Sequence, residues 1–422
     1  MRESTVMKES DEIRDPNVDV LTESGLHKVM VAFQTLSEWP TVLMIVVGLF
    51  LTAFVSGTWW FMRFSPRLAV AVFAVTAVFM LTDAFMLIRL PKKQLSFGPW
   101  QPQLAALTLL RVFAAVVLAG ITYVLPNRVG LALLVAAQFA GTAVFYYGAY
   151  VEPFQLTMSE LLVFTDRLPV GFPPIRILHI TDLHIERWTQ REDEVLRIVE
   201  EANADLIVIS GDYVNLSYNR DPETQKLVHK LLSRLSAPHG VYATLGSPPV
   251  DLRETVVPIF DELDIPLMRH HWHEVDFGDG RKLVLLGMDC THHIETDETR
   301  LAHLMSSAPN HAPQLLIYHS PEMMPQAAAQ GIDLYLCGHT HGGQVRLPII
   351  GPILTSSQLG RRYVMGHYRL GRTHLYVSRG IGLEGLSAPR VRFLSPPEMT
   401  LVILMPGGEA TKASLKAAAA MQ

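Results

Sequence analysis

Four apolar runs in the first part of the chain limit most strongly what this sequence can fold into. They span residues 40–61, 68–90, 104–125 and 129–150. A helix needs about 20 mainly apolar residues to cross a bilayer, and each run approaches or exceeds that length. Four such runs in succession require a solvent other than water. We therefore predict four transmembrane helices over residues 39–150, preceded by a polar segment over residues 1–38.

Basic residues in the short loops predict how these helices are oriented, because lysine and arginine concentrate on the cytoplasmic side. One side of the predicted bundle carries Arg2, Lys8, Arg14, Lys28, Arg89, Lys92 and Lys93. The other side carries Arg63, Arg67 and Arg128. This asymmetry predicts a cytoplasmic N-terminus, and four crossings return the chain to the same side. We expect a multi-pass protein of the cell membrane whose C-terminal domain is cytoplasmic.

Asp83 is the one acidic residue within the four runs, and Arg111 lies in the third run. Ionisable residues inside a membrane are costly and often functional, so a transporter or sensor that works through its helices is one hypothesis. In the other, Asp83 faces the bundle interior, pairs with a polar neighbour and has a structural role. We expect the structural role.

The pattern changes after residue 150 to that of an α/β domain. Residues 151–175 are expected to be a connector, and residues 176–405 alternate short apolar strands with amphipathic helices before becoming rich in strands. Two packed mixed sheets flanked by helices would satisfy this order. Residues 406–422, which are rich in alanine, are expected to be a flexible tail.

Charge and cysteine content exclude two classes of protein. The formal net charge is −5 at pH 7, so a concentrated basic face is not indicated and nucleic acid is not an expected partner. The two cysteines, Cys290 and Cys337, lie far apart in the sequence and do not form a disulfide framework.

Polar side chains follow several of the predicted strands, at the edge where open α/β sheets build their sites. The segments are Asp182-Leu183-His184, Gly211-Asp212, His319 after an apolar run, and Gly338-His339-Thr340-His341. Together they supply two carboxylates and four imidazoles. This mixture of oxygen and nitrogen donors suits Mn²⁺, Fe or Zn²⁺ rather than Ca²⁺.

The order of these segments resembles the calcineurin-like metallophosphoesterases over residues 176–404. Residues 338–344, 360–363 and 376–380 resemble the membrane-tethered or exported bacterial branch of that family. The resemblance implies two divalent metal ions. Asp182, His184 and His341 would hold one ion, His319 and His339 would hold the second, and Asp212 would bridge the two.

The resemblance also implies a reaction. A hydroxide held between the two metals would attack phosphorus and hydrolyse a phosphomonoester, a phosphodiester or a pyrophosphate. We expect Asp212 and His319 to serve in catalysis as well as in metal binding. The membrane anchor favours a membrane-proximal or lipid-linked substrate.

One motif of the family is altered. The family has Gly-Asn-His followed by an acid after its third strand, and this chain has Gly246-Ser247-Pro248-Pro249. Ser247 is therefore a weak metal candidate, and Pro248 has no proton to give to a leaving group, which is a contribution of typically 10²–10⁴-fold in rate.

Three consequences of this change are open: a slow enzyme, an ester with a good leaving group, or a substitute side chain. Chemistry alone offers as substitutes Asp251, His270, His271, His273, His292 and His293, although most of these histidines are expected to be solvated. The alternative function is a metal-binding regulatory or scaffold membrane protein with a degenerate phosphoesterase site. Metal-dependent turnover would separate the two.

Overall fold

The structure is a computed structural model that describes Lys28, residues 32–385 and residues 389–407. Most of the polar segment expected over residues 1–38 lies outside the described residues. The same holds for nearly all of the tail expected over residues 406–422.

Four helices of the described chain are long and apolar enough to cross a membrane, as predicted. They are α1 (Thr41–Arg63), α2 (Pro66–Lys92), α3 (Trp100–Ile121) and α4 (Asn127–Tyr146). A π-helical turn over Tyr147–Val151 continues α4 toward the second half of the chain. The bundle buries residues such as Val55, Trp59 and Leu134, whereas many large apolar side chains point outward. An apolar outer surface of this kind fits a bilayer rather than water.

A buried ion pair ties three of these helices together. Arg111 on α3 donates from Nη2 to Asp83 Oδ1 on α2 at 2.6 Å. The same guanidinium donates to Gln138 Oε1 at 2.8 Å and to Thr142 Oγ1 at 2.7 Å, both on α4. Asp83 thus has the polar partner that a structural role requires.

The second half of the chain forms two mixed sheets flanked by helices, as the sequence predicts. The strands are β1 (Thr157–Thr165), β2 (Ile175–Ile180), β3 (Leu206–Ile209), β4 (Val241–Ala243), β5 (His271–Asp276), β6 (Lys282–Gly287), β7 (Gln314–Ile317), β8 (Leu334–Cys337), β9 (Arg346–Leu347), β10 (Gly351–Pro352), β11 (Gly366–Leu370), β12 (Thr373–Val377) and β13 (Glu398–Pro406). The first sheet has the order β1-β13-β2-β3-β4 and the second has the order β11-β12-β8-β7-β6-β5. The short strands β9 and β10 pair with each other outside these sheets.

The core of the domain lies between the two sheets, where Ile177, Val208, Leu315 and Leu336 pack together. The helices are α5 (Gln190–Ala202), α6 (Pro222–Leu232), α7 (Arg253–Leu263), α8 (Ile294–Ser307) and α9 (Met324–Ala329). The first three cover the outer face of the first sheet, and α8 and α9 cover the outer face of the second.

The segment expected to be a connector, residues 151–175, contains strand β1. This strand pairs in parallel with β13, from Thr157 opposite Glu398 to Thr165 opposite Pro406. Its burial is one-sided: Leu161 and Val163 are buried, whereas Glu160 and Leu162 are exposed. An edge strand of this kind gives a weaker apolar signal than a central strand. The α/β domain therefore begins before residue 176.

Hydrogen bonds dock the domain directly onto the helices. Glu186 Oε2 accepts from the backbone N–H of Phe97 at 2.7 Å, and Tyr218 Oη donates to Phe97 O at 2.6 Å. Farther along, the N–H of Arg390 donates to Gln103 Oε1 at 3.1 Å. These bonds place the membrane helices against one side of the domain.

We predict that the ion pair between Asp83 and Arg111 holds the bundle together. Removing one partner leaves a buried charge unpaired, which typically costs about 3–5 kcal/mol. Asp83→Asn should therefore lower the unfolding temperature of the detergent-solubilised protein clearly. The double variant Asp83→Asn with Arg111→Gln leaves no such charge and should recover much of the loss. Equal melting of the single variant and the wild type would contradict the role.

Candidate metal centre

The carboxyl ends of parallel strands from both sheets meet at one edge of the domain. In the first sheet β2, β3 and β4 run parallel, and in the second β6, β7 and β8 do. Asp182 and His184 follow β2, Asp212 follows β3, His319 follows β7, and His339 and His341 follow β8. All six side chains are buried. The structure thus brings together the six residues that the motifs singled out.

The first cluster consists of Asp182, His184 and His341, whose nearest donor atoms lie within 4.8 Å of one another. The Nε2 atoms of the two histidines are 3.0 Å apart. Asp182 Oδ1 lies 3.5 Å from His341 Nε2. Three donor atoms therefore point at one small volume.

The second cluster consists of Asp212, His319 and His339, again within 4.8 Å of one another. His319 Nε2 lies 3.1 Å from Asp212 Oδ2 and 3.2 Å from His339 Nδ1. Asp212 Oδ2 is also 3.5 Å from His184 Nε2 of the first cluster. Asp212 thus lies between the clusters, where a bridging ligand would be needed.

The chemistry of these donors fits two cations. Burial lowers the pKa of His184, but the carboxylates of Glu384, Asp212 and Asp182 raise it to about 9. Burial and the neighbouring imidazoles His292 and His319 lower the pKa of His339 to about 3. The carboxylates therefore favour a nearby positive charge, whereas the lowered pKa of His339 disfavours protonation of that ring. Divalent ions satisfy both conditions, because ions bind carboxylates and neutral imidazoles together.

The outer nitrogens of the rings are held so that the inner ones converge. His319 Nδ1 lies 2.8 Å from the carbonyl oxygen of Ser210, and His339 Nε2 lies 3.3 Å from that of Ser356. His184 Nδ1 is 2.9 Å from Glu384 Oε2. Partners of this kind set the orientation and tautomer of metal-binding imidazoles.

The backbone around the donors is strained. Positive φ angles occur at Asp182 (51°), His184 (42°), Asp212 (58°), His339 (71°) and His341 (50°). This left-handed region is uncommon for residues other than glycine, and each case costs on the order of 1–3 kcal/mol. Strain concentrated in one place is typical of functional sites.

Two glycines leave room for the carboxylates. A Cβ atom at Gly338 would collide with the carboxylate of Asp182, and one at Gly246 would collide with Asp212. Glycine is therefore required at both positions for the two acids to reach the site.

Asp251 supports the second cluster from behind. Its Oδ2 accepts from the N–H groups of Asp212 at 2.8 Å and Gly246 at 2.7 Å, and its Oδ1 accepts from Tyr213 at 2.9 Å. Burial and the charge of Asp212 raise the pKa of Asp251 to about 7. This carboxyl group is engaged with the backbone, so it positions Asp212 rather than replacing the missing histidine.

Ser247 lies beside the second cluster. Its N–H donates to Asp212 Oδ1 at 2.7 Å, and its Oγ is 3.4 Å from His339 Nδ1. His292 Nε2 lies 3.4 Å from the same hydroxyl oxygen. Among the histidines considered as substitutes, His292 is buried at the site, whereas His271 and His273 are exposed on β5. His292 also follows β6, so the strand-end rule that found the other donors could have selected it.

A cavity of about 870 Å³ opens from the clusters toward the membrane helices. Asp212, Ser247, His339, His341 and Glu384 line its inner end. Its other wall is formed by residues of α3 and α4. Most of these are apolar or small, namely Leu107, Leu110, Ala114, Ala137, Gly141, Val144 and Phe145, and two are polar, Arg111 and Gln138. One continuous space therefore joins the polar donors to the apolar flanks of two membrane helices.

Comparison with known proteins agrees with this geometry. The family model described as calcineurin-like phosphoesterase matches residues 175–247. The metallophosphoesterase YkuE of Bacillus subtilis (strain 168) is 29% identical over 280 residues, which cover 65% of this chain and 93% of that relative. The phosphodiesterase YaeI of Escherichia coli (strain K12) is 28% identical over 291 residues, which cover 64% of this chain and 96% of YaeI. These matches support a hydrolase of phosphate esters.

We predict that Asp251 is needed to keep Asp212 in place. Asp251→Ala leaves three buried N–H groups unpaired, and each such group costs about 1–3 kcal/mol. The variant should melt at a lower temperature and bind divalent ions more weakly, as measured by thermal unfolding and metal titration. Asp251→Asn keeps an oxygen acceptor and should lose less of both. If the alanine variant matched the wild type in both measurements, the positioning role would be wrong.

Proposed function

We propose that this chain, which belongs to the calcineurin-like metallophosphoesterase family, hydrolyses a lipid-linked phosphate ester at the membrane surface with the help of two divalent metal ions. The main observation in favour of a lipid-linked substrate is the cavity that is lined both by the donor clusters and by the helices α3 and α4. The catalytic half of the proposal rests on the six converging donors.

The six donors divide into two ligand sets. Asp182, His184 and His341 would hold one ion and His319 and His339 the other, with Asp212 between them. When bound, such a pair of ions lowers the pKa of water and neutralises the oxygens of a phosphate group. The mixed oxygen and nitrogen donors favour Mn²⁺, Fe or Zn²⁺.

The chain's own residues orient the reactants. Burial favours the neutral form of Asp212, but His319, His184 and His339 hold the pKa of Asp212 below its usual range. Its carboxylate is therefore ionised and available to both sets, and we assign catalytic roles to Asp212 and His319. The buried surroundings limit the access of bulk water, so charges act more strongly there than in solution.

The wall of the cavity on the membrane side suits an acyl chain. Along α4 and the π-helical turn that continues it, the lining positions Ala137, Gly141, Val144 and Gly148 are spaced so that they fall on one face. Three of the four are small, so the face forms a groove. An apolar tail would fill the groove while the phosphate reaches the donors. A small water-soluble ester would leave this apolar surface unfilled.

An exposed apolar loop around the pair β9 and β10 lies beside the same cavity. Leu347, Ile349, Ile350, Ile353 and Leu354 are exposed there, and Ile349 is fully exposed. Ile353 and Leu354 also line the cavity. An exposed apolar patch of this kind is typical of a surface that contacts a membrane or a partner.

The position of this loop favours the membrane. The adjoining Val345 forms a β-bridge with Phe393, and the ring of Phe393 packs edge-on against Tyr147, with their centroids 6.0 Å apart. Tyr147 begins the turn that continues α4. We therefore propose that the loop enters the same leaflet as the end of α4.

The proposed location follows from the four helices and the loop charges. We place the protein in the cell membrane as a multi-pass protein, with the phosphoesterase domain on the cytoplasmic side. The site would then meet lipids of the cytoplasmic leaflet.

A regulatory or scaffold protein with a degenerate site is the second candidate. The observation in its favour is that Ser247 and Pro248 stand where the family has its asparagine and histidine. Such a protein would bind metal without turnover. A transporter or sensor has less support, because Asp83 and Arg111 are paired with each other.

The first test is metal-dependent turnover. We expect the detergent-solubilised protein to hydrolyse phosphodiester or nucleotide-diphosphate-lipid substrates when Mn²⁺ is added, and chelation to abolish the reaction. Asp212→Ala should remove nearly all activity, whereas Asp261→Ala, which changes an exposed acid on α7, should retain it. Metal binding without any turnover above that of Asp212→Ala would favour the regulatory candidate.

The second test concerns the groove. Ala137→Trp should obstruct the cavity and lower kcat/KM for a long-chain lipid substrate by at least roughly tenfold, which corresponds to about 1.4 kcal/mol. Turnover of a soluble aryl phosphodiester should change little. The neighbouring Ala136 is exposed and does not line the cavity, so Ala136→Trp is the matched control. Equal loss with both substrates, or with both variants, would speak against a lipid tail in the groove.

A further inference from the structure

The second donor cluster has one side where the nearest donor is a poor metal ligand, the hydroxyl of Ser247, and we call this its weak side. Asp212, His319 and His339 converge there, but the next donor is a hydroxyl oxygen 3.4 Å from His339 Nδ1. A neutral hydroxyl is a poorer ligand for Mn²⁺, Fe or Zn²⁺ than a carboxylate or an imidazole. The first cluster has three strong donors of its own and shares Asp212 with the second.

His292 faces this weak side. Its side chain is buried, and its Nε2 lies 3.4 Å from Ser247 Oγ. The rings of His292 and His339 lie with their centroids 4.4 Å apart. His292 lies in the loop after β6, which is the strand next to β7, and His319 lies directly after β7.

The surroundings of His292 orient its ring. Nδ1 lies 3.1 Å from Glu322 Oε2, so Nε2 is the atom presented to the cluster. Gln358 donates from its side chain to the carbonyl oxygen of His292 at 2.5 Å, and its own N–H donates to Glu322 Oε1 at 2.7 Å. A carboxylate on one ring nitrogen is the usual support of a histidine whose other nitrogen binds metal.

The backbone of His292 shares the strain seen at the other donors. Its φ is 58°, the same value as at Asp212 and within the range of the remaining left-handed donors. A histidine held in this conformation needs a surrounding structure that imposes it, and such strain gathers at functional sites. This observation is independent of the contacts of the side chain.

We propose that His292 is a further protein ligand of the second metal ion, and that Glu322 is the positioning residue that aims it. The inference rests on the proposed metal centre. Ser247, which follows β4, does not supply a strong donor. His292, in the loop after β6, would supply one. Replacing an amide oxygen by an imidazole nitrogen shifts the preference of the second ion away from Mn²⁺ and toward Zn²⁺ or Co²⁺.

The test measures metal binding in the absence of substrate. The full-length protein in detergent is stripped with a chelator and titrated with Zn²⁺, Co²⁺ or Mn²⁺, with bound metal counted by mass spectrometry and the Co²⁺ absorption recorded. We expect two ions per chain. His292→Ala should weaken binding of the second ion by about 100-fold. Glu322→Gln should weaken it by about 10-fold, which is the lower end of the range of about 10–100-fold typical of outer-sphere partners.

Two further variants keep the result interpretable. His293→Ala changes the neighbouring histidine and should leave both ions at wild-type affinity. His292→Asn restores the kind of ligand that the family uses, so it should bind the second ion with a preference moved toward Mn²⁺. Thermal unfolding of each variant identifies any loss that is due to misfolding.

Two ions bound to His292→Ala at wild-type affinity, with an unchanged Co²⁺ spectrum, would overturn the proposal. If turnover nevertheless fell in that variant, His292 would act on the substrate rather than on the metal. Failure of the metal centre as a whole looks different, because the wild-type protein would then bind no ions, or Asp212→Ala would bind as many as the wild type. The two failures are therefore distinguishable.

Discussion

Buried carboxylates and imidazoles meet at the ends of parallel strands from two sheets, and this convergence is the strongest constraint on the domain. Bringing Asp182 and Asp212 out of water beside four histidines is unfavourable unless their charge is compensated. The protein sustains this arrangement with a rigid frame: the core between the sheets fixes the strand ends, and Asp251 fixes the loop after β3. The left-handed backbone at five of these donors is a sign of the strain that the frame supports. The same convergence is what makes the edge suitable for two cations.

The membrane helices determine what can reach this edge. Contacts of Phe97 with Glu186 and Tyr218 fix the domain against the loop between α2 and α3, so the site opens beside the helices rather than into open solvent. Within the bundle, the pair of Asp83 and Arg111 holds α2, α3 and α4 at the positions that shape the groove. Anchor and catalytic domain therefore act as one structural unit. This is the physical basis for expecting a substrate with an apolar part.

The altered motif after β4 is the basis of our proposal that a local loss is met from elsewhere in the fold. Read along the chain, Ser247 and Pro248 remove a ligand and a proton donor at once. In three dimensions, Asp251 accepts a hydrogen bond from the backbone N–H of Gly246, and His292 approaches Ser247 from the loop after β6. Ser247 and His292 are separated by 45 positions in the sequence, so no local sequence pattern links them.

The amino-acid pattern alone predicted four long apolar helices and two mixed sheets, and it singled out the six residues that the structure brings together at one edge. A long apolar run in a bilayer forms a helix, because its backbone groups must be hydrogen-bonded within the segment. Polar residues directly after buried strands lie at the edge of the sheet, whatever the position of that sheet in the fold. The sequence did not determine that β1 belongs to the first sheet, because a one-sided edge strand has a weak apolar pattern. Nor did it single out His292 from its neighbours, since several histidines share the same stretch. These points, and the continuity of the site with the groove, emerge from tertiary packing, because burial and contact between distant segments arise when both sheets and the helices pack together.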